Sequence, residues 1–159
     1  MKVIKFKNHI LKIQNNGTIF WPKKSISIIS DLHLEKSSYF AKKGLFVPPY
    51  DSHETLLELN KNLINNEIKI VIILGDFFHD NSGYKRLNQK SKLILKEIIS
   101  NYKVIFIKGN HDNLLEIPNV QSHSSFFIDG INLSHEPKNI MYEICGHFHP
   151  KIVLDINGK

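Results

Sequence analysis

A chain of 159 residues, 42% of them apolar and 23% charged, is long enough to bury a core without staples. Its single cysteine, Cys145, excludes an internal disulfide framework and points to a reducing, cytoplasmic setting. No apolar run reaches spanning length and the lysine-rich N-terminus does not read as a leader, so membrane roles are set aside, while a net charge of +6 fits either an anionic partner such as nucleic acid or a solvated basic surface.

In chain order, Val3 to Phe20 reads as a small β-meander, with Asn15-Asn16-Gly17 as its tight turn. Trp21-Pro22 breaks the strand, and Ser25 to Ser30 forms a short apolar strand that leads into a loop running through Pro48-Pro49. Asp51 with Glu54 makes a capping box for a helix to about Asn66, with Leu56, Leu59, Leu63 and Ile64 at helical spacing. Lys69 to Leu74 is a buried strand. A helix from Tyr84 to Asn101 follows, carrying Leu87, Leu93, Leu95, Ile98 and Ile99, and then a strand from Lys103 to Ile107. This alternation predicts parallel pairing through crossover connections. Short strands are expected at Ser125–Ile128, Ile131–Ser134, Met141–Cys145 and Lys151–Ile156, with Asp129-Gly130 as a hairpin turn. No linker or repeat divides the chain, so residues 1–159 are read as one domain.

Five blocks carry the chemistry: Asp31-Leu32-His33, Gly75-Asp76-Phe77-Phe78-His79, Gly109-Asn110-His111-Asp112, Ser134-His135-Glu136 and Gly146-His147-Phe148-His149. Three follow strands of the α/β portion directly, where open sheets place their ligand sites. The other two follow later strands, and all five meet if both sheets deliver their strand ends to one edge. Mixed carboxylate, imidazole and amide donors suit Mn, Fe, Zn or Co better than Mg or Ca. Six or seven donors exceed what one tetrahedral zinc takes, so two metals sharing a carboxylate are expected. Asp76 is the natural bridge, because Gly75 lets the backbone turn sharply at the strand end.

The ordered set D-x-H, G-D-x-x-H, G-N-H-D, H and G-H-x-H, spanning Asp31 to His149, resembles the calcineurin-like metallophosphoesterases. The resemblance implies an α/β fold: a two-sheet β-sandwich flanked by helices, of four-layer α/β/β/α type. It implies two divalent metal ions, Mn²⁺ first and Fe or Zn as alternatives. Asp31, His33, Asp76 and His149 would hold one, and Asp76, Asn110, His135 and His147 the other. His111 would protonate the leaving oxygen or steady the phosphate, with Asp112 orienting its ring. A water activated by both cations would attack phosphorus. His79 stands where many members carry Asp, and is read as a substrate-side or supporting residue.

The segments Trp21-Pro22, Asp31 to Lys36, Gly44 to Tyr50 and Thr55-Leu56, with His135-Glu136-Pro137 and Gly146 to Pro150, are similar to the ligase-associated, PdeM-type subgroup. That implies a phosphodiester substrate such as DNA, a nuclease role in DNA repair, and an ATP-dependent DNA ligase and an exonuclease as partners. Relatives of this subgroup continue through further strands, so the second sheet is expected to be short. Alternatives are a phosphomonoesterase, a cyclic-nucleotide phosphodiesterase, or an inactive module serving only assembly.

Plainer roles are expected elsewhere. His9, His53 and His123 read as structural or solvent-exposed, Cys145 as a small buried hydrophobe, and Phe77 and Phe78 as core. Phe40, Phe46 and Tyr50 read as loop packing, with base stacking as the alternative. Lys36, Lys42 and Lys43 read as either solvated lysines or a grip on a phosphate backbone.

Overall fold

The computed structural model describes residues 1–46 and 52–149. Strands β1 (Lys2–Phe6), β2 (His9–Ile13), β3 (Ile19–Trp21) and β4 (Ile26–Ile29) form an antiparallel meander. The expected turn at Asn15–Gly17 is present, with Gly17 at φ +83, a conformation open to glycine at little cost. Strands β5 (Ile70–Leu74), β6 (Lys103–Ile107) and β7 (Gln121–His123) continue the same sheet in parallel from β4. A second, three-stranded sheet has the order β10 (Glu143–Cys145), β9 (Ile131–Ser134), β8 (Phe126–Ile128), with β9 and β10 parallel. Asp129 and Gly130 both have positive φ, as a primed hairpin turn requires, and they join β8 to β9.

The period of two in β5 and β6 separates two cores. Val71, Ile73 and Phe106 face the helices α2 (Ser52–Asn65) and α4 (Gln89–Asn101), where Leu56, Leu59, Leu63, Leu95 and Ile98 are buried. Ile72, Leu74, Ile105 and Ile107 face the other way, onto Ile131 and Leu133 of the second sheet and Trp21 of the meander. The sandwich of two mixed sheets with helices is therefore present. Among the described residues the layers run helix, sheet, sheet, and no described helix enters the second core. Phe77 and Phe78 are core residues, as expected. No helix of the described residues is long and apolar enough to cross a membrane.

Local readings differ in four places. Helix α1 (Lys36–Ala41) occupies a segment expected as loop. The single helix expected from Tyr84 is two, α3 (Gly83–Arg86) and α4. Leu87 turns extended between them, and the Asn88 side chain caps α4 by accepting from the Ser91 N–H at 2.8 Å. Strand β7 is polar and only three residues long, which leaves no alternating pattern to read. Ile64 is exposed, because about 100° per residue carries it away from the Leu56–Leu59–Leu63 stripe. The Asp51 cap, Tyr50 and the strand expected at Lys151–Ile156 lie outside the described residues.

Helix α1 is fastened by the chain's one arginine. Arg86 donates through both terminal nitrogens to Asp80 at 2.9 and 2.8 Å, through Nε to Ser38 Oγ at 2.9 Å, and to the Glu35 carbonyl. Glu35 in turn accepts from Ser38 and Ser52. A planar fork suits this bidentate role where lysine would not. Against the upward push of burial, the bonds from Arg86 and Ser82 hold the Asp80 carboxyl below its usual range. A depressed native value stabilises the fold above the unfolded pKa of about 4, and that contribution disappears as pH falls through the native value. Asp80→Asn is therefore expected to unfold at a lower temperature than the parent at pH 7, with the two melting curves converging below about pH 4. Parallel curves at every pH would show that the Asp80 charge contributes nothing.

Candidate metal centre

All five blocks sit at carboxyl ends of strands running parallel within their sheets, β4, β5 and β6 in one and β9 and β10 in the other. The loops after β4 and β5 are stitched together by Asp31 N–H to Gly75 O, His33 N–H to Asp76 O and Leu34 N–H to Phe77 O, at 3.2, 2.9 and 2.9 Å. The sheets are joined by the His135 ring, whose Nδ1 donates to the Leu74 carbonyl at 2.8 Å. The main chain donates to Asp31 from His147 as well, at 3.1 Å. The edge convergence expected from strand placement is thus realised.

The backbone at this edge is unusual. Asp31, His33, Asp76, His147 and His149 all have φ between +42 and +72. Non-glycine residues enter the left-handed region at a cost, and such strain persists only where the surroundings hold it. Glycine is needed beside them for space. A Cβ on Gly109 would collide with the backbone nitrogen and Oδ1 of Asp76, and one on Gly75 would come within 2.6 Å of the His135 ring.

The donors gather in two groups. In one, His149 Nε2 lies 3.1 Å from Asp31 Oδ1 and 3.3 Å from His33 Nε2. In the other, Asn110 Oδ1 lies 2.9 Å from His135 Nε2 and 3.0 Å from His147 Nδ1, and those two nitrogens are 3.3 Å apart. Asp76 stands between the groups, buried, with Oδ2 at 3.8 Å from His33 Nε2 and 3.4 Å from His135 Nε2. Ring nitrogens facing one another at this distance repel unless a proton or a cation lies between them. The carboxylates and the Asn110 carbonyl oxygen face the same space, a donor set suited to divalent cations.

Electrostatics prepares the donors. Burial, reinforced by the neighbouring His111, His149 and His79 rings and opposed by Asp76, lowers the His33 pKa to about 4, so the ring is neutral with a free lone pair near pH 7. For Asp76, burial pushes upward, but the bonds and charges of His135 and His111 prevail and hold it ionised below its usual range. His135 shows the reciprocal effect: burial acts downward, and Asp76 and the Leu74 carbonyl raise its pKa overall.

His111 lies beside these two groups, and with His33 and His79 it makes a further cluster of ring nitrogens able to hold a cation. Its backbone N–H donates to Asp76 Oδ1 at 2.9 Å, its Nδ1 donates to the His79 carbonyl at 3.0 Å, and its ring is edge-on to His33 with centroids 4.9 Å apart. His79 is buried and stacks on His111 at 5.1 Å, with Tyr39 and Phe40 against its other sides. The expectation that Asp112 orients the His111 ring is corrected here. Asp112 is fully buried and accepts three backbone N–H groups, from Gly109, Asp76 and Phe78, at 3.0, 3.2 and 3.1 Å. The ring is held by the His79 carbonyl instead. Burial raises the Asp112 pKa despite these bonds, and the nearby Asp76 charge adds to the rise.

Each residue expected at the site is therefore within this constellation, with Asp112 beneath it. His9, which packs on Trp21, and His53 and His123 stand outside the donor groups of the described residues. Cys145 is partly buried, and its thiol is pushed up by burial and the Glu143 and Asp31 charges. Phe40 packs as expected, whereas Phe46 is 92% exposed and packs little. Two supporting features escaped the motif reading. Ser30 donates to Asp31, and Glu143 accepts from Asn132 and Ser134 below His135. The one arginine in a chain of twenty lysines was a legible signal for the third, the Arg86 clamp.

Comparison with solved structures finds the same fold in the crystal structure of the Pseudomonas putida nuclease MPE. The match has a TM-score of 0.75 at 24% sequence identity, and covers 96% of this chain and 76% of that one. Comparison with curated proteins finds no match. The family profile described as calcineurin-like phosphoesterase matches residues 24–155, a span that contains all five blocks. Its members typically bind two metal ions, and the two donor groups meeting at Asp76 fit that requirement. With fold, profile and donor set in agreement, the chain belongs to the calcineurin-like phosphoesterases, metal-dependent hydrolases of phosphoester bonds.

Proposed function

We propose that this protein is a two-metal phosphodiesterase that cuts nucleic acid, DNA in particular, in a reducing cytoplasmic setting. The observation that carries the reading is the sharing of Asp76 between the two donor groups with His111 alongside. The nuclease named among the similar folds supports the choice of a diester, and the loop between Asp31 and Thr55 supports the ligase-associated subgroup. An ATP-dependent DNA ligase and an exonuclease belong to the same proposal as partners.

Asp31, His33, Asp76 and His149 would hold one metal, and Asp76, Asn110, His135 and His147 the other, with Mn²⁺ the first choice and Fe or Zn next. Bound there, the ions supply Lewis acidity and a water acidified enough to attack phosphorus. The chain's own groups do the rest. His33 is neutral near pH 7 and needs no deprotonation before it donates its lone pair. The carbonyl of His79 fixes the proton on His111 Nδ1. That leaves Nε2 as the atom that steadies a phosphate oxygen or hands a proton to the leaving oxygen. Asp112 holds the Asp76 and Gly109 turns in register through three backbone bonds.

The test is hydrolysis of bis(p-nitrophenyl) phosphate and of a single-stranded oligonucleotide by the Mn²⁺-loaded protein. His111→Ala is expected to reduce both rates by about 10²–10⁴-fold, the usual range for a positioned acid. Turnover of p-nitrophenyl phosphate alone would replace the reading with a phosphomonoesterase. Inactivity with fewer than two metals per chain would replace it with an assembly role.

A further inference from the structure

A groove of about 400 Å³ lies between helix α1 and the segment that follows His79. Tyr39, Lys42 and Lys43 form one wall, and Asp80, Asn81 and Ser82 the other, with Arg86 at the base. We propose that this groove is a binding subsite for a phosphate neighbouring the scissile one, so that the enzyme grips a polynucleotide rather than a small diester. The inference rests on the phosphodiesterase reading above.

Position comes first. Tyr39 lines the groove and also packs on His79, with ring centroids 4.7 Å apart, and His79 stacks on His111. The groove therefore opens one ring's width from the acid of the proposed reaction, on the side of the His79 ring. A chain lying across the centre has to leave it on some side, and this one presents positive charge.

Charge is the second argument. The ion pairs of the described residues engage Lys24 and Arg86 but neither Lys42 nor Lys43. Both lysines are exposed, and Lys43 Nζ sits 2.6 Å from the Tyr39 hydroxyl and over its ring at 4.3 Å. That contact orders a cation at the lip of the groove while leaving it donors for an anion. Asp80, the one carboxylate in the walls, is neutralised by the two-bond Arg86 pair. Among the described residues that line the groove, the charges left after this pairing are those of Lys42 and Lys43.

Rigidity is the third. Arg86 spends its fork on Asp80, Ser38 and Glu35, which lie on both sides of the groove. It thereby holds the walls at a fixed separation, and in this role it is a positioning residue. The lysines then meet a phosphate without the cost of first assembling the site.

The experiment measures binding of a fluorescein-labelled twelve-nucleotide single strand by anisotropy, in chelator, across a salt series. Lys42→Gln/Lys43→Gln removes both charges while leaving unbranched polar side chains, and is compared with Lys2→Gln/Lys5→Gln. The latter removes the same charge from exposed positions on β1, the outermost strand of the large sheet. The groove variant is expected to bind at least about fivefold more weakly, and its log Kd against log salt should flatten by roughly 0.7 per lysine. The β1 variant should match the parent. Equal behaviour of the two variants would overturn the subsite, whether both are weak or both unchanged. Hydrolysis is read separately: on Mn²⁺ loading, the oligonucleotide-to-bis(p-nitrophenyl) phosphate ratio of kcat/KM should fall in the groove variant. Absence of parental hydrolysis of either diester would sink the phosphodiesterase reading, and the binding comparison would still decide the groove.

Discussion

Asp76→Ala is expected to lower metal content from two ions per chain to at most one and to reduce diester hydrolysis on the order of 10³-fold, equivalent to about 4 kcal/mol of lost transition-state stabilisation. The reason is positional. Asp76 Oδ2 lies 3.8 Å from His33 Nε2 and 3.4 Å from His135 Nε2, one from each donor group, and it is the buried carboxylate of the two, Asp31 being the other near both rings. Oδ1 is occupied by the His111 N–H. The alanine variant therefore loses the shared donor and also frees the backbone of the acid. Asp76→Asn separates these effects: it keeps an oxygen for the His111 N–H but removes the charge. It should recover stability without recovering the second metal. Elemental analysis beside steady-state kinetics checks both. Retention of two metals and of the parental rate in Asp76→Ala would remove Asp76 from the centre of the site.

A second large effect is expected at Asp112, and it should register in stability rather than through the His111 ring. Asp112→Ala orphans three buried N–H groups, each costing about 1–3 kcal/mol when left unsatisfied. Water entering the space recovers part of this, and a net loss of about 3–5 kcal/mol is expected, as for other broken buried charge networks. For a chain of this size that is a fall on the order of 10 °C in Tm. Asp112→Asn should lie between. Its oxygen can replace Oδ1, which serves Asp76 and Gly109, but its amide would face the Phe78 N–H that Oδ2 accepts. The discriminating measurement is thermal unfolding of the metal-free protein. If Asp112→Ala melts with the parent, the carboxylate is not what holds the two turns together.

Much of the site was legible because its chemistry is local in the chain. Each block pairs a strand of β-branched residues with a glycine or a donor at its end, and the spacing places every donor at the same edge once the strands are parallel. The gaps have physical causes. Helix α1 has six residues and no apolar period, and exists through Arg86, Glu35 and Ser52. The break at Leu87–Asn88 is hidden in a run of good helix formers, where only the capping bond shows where α4 starts. Asp112 was expected as the partner of His111 from the family resemblance. Adjacent residues in a tight turn point apart, and the ring found a carbonyl 32 positions earlier.

The amino-acid sequence by itself determined the donor inventory, the strand ends that carry it and the family. These depend on residue type and short-range spacing, which the chain states directly. The central place of Asp76 was expected from Gly75 beside it, whereas tertiary structure alone decided that Asp112 serves the backbone and that the His79 carbonyl holds the His111 ring. It also placed α1 beside His79, through Tyr39 and Phe40. Those outcomes depend on contacts across tens of residues, where one close approach at Gly109 or one arginine fork selects among arrangements the local pattern leaves equal.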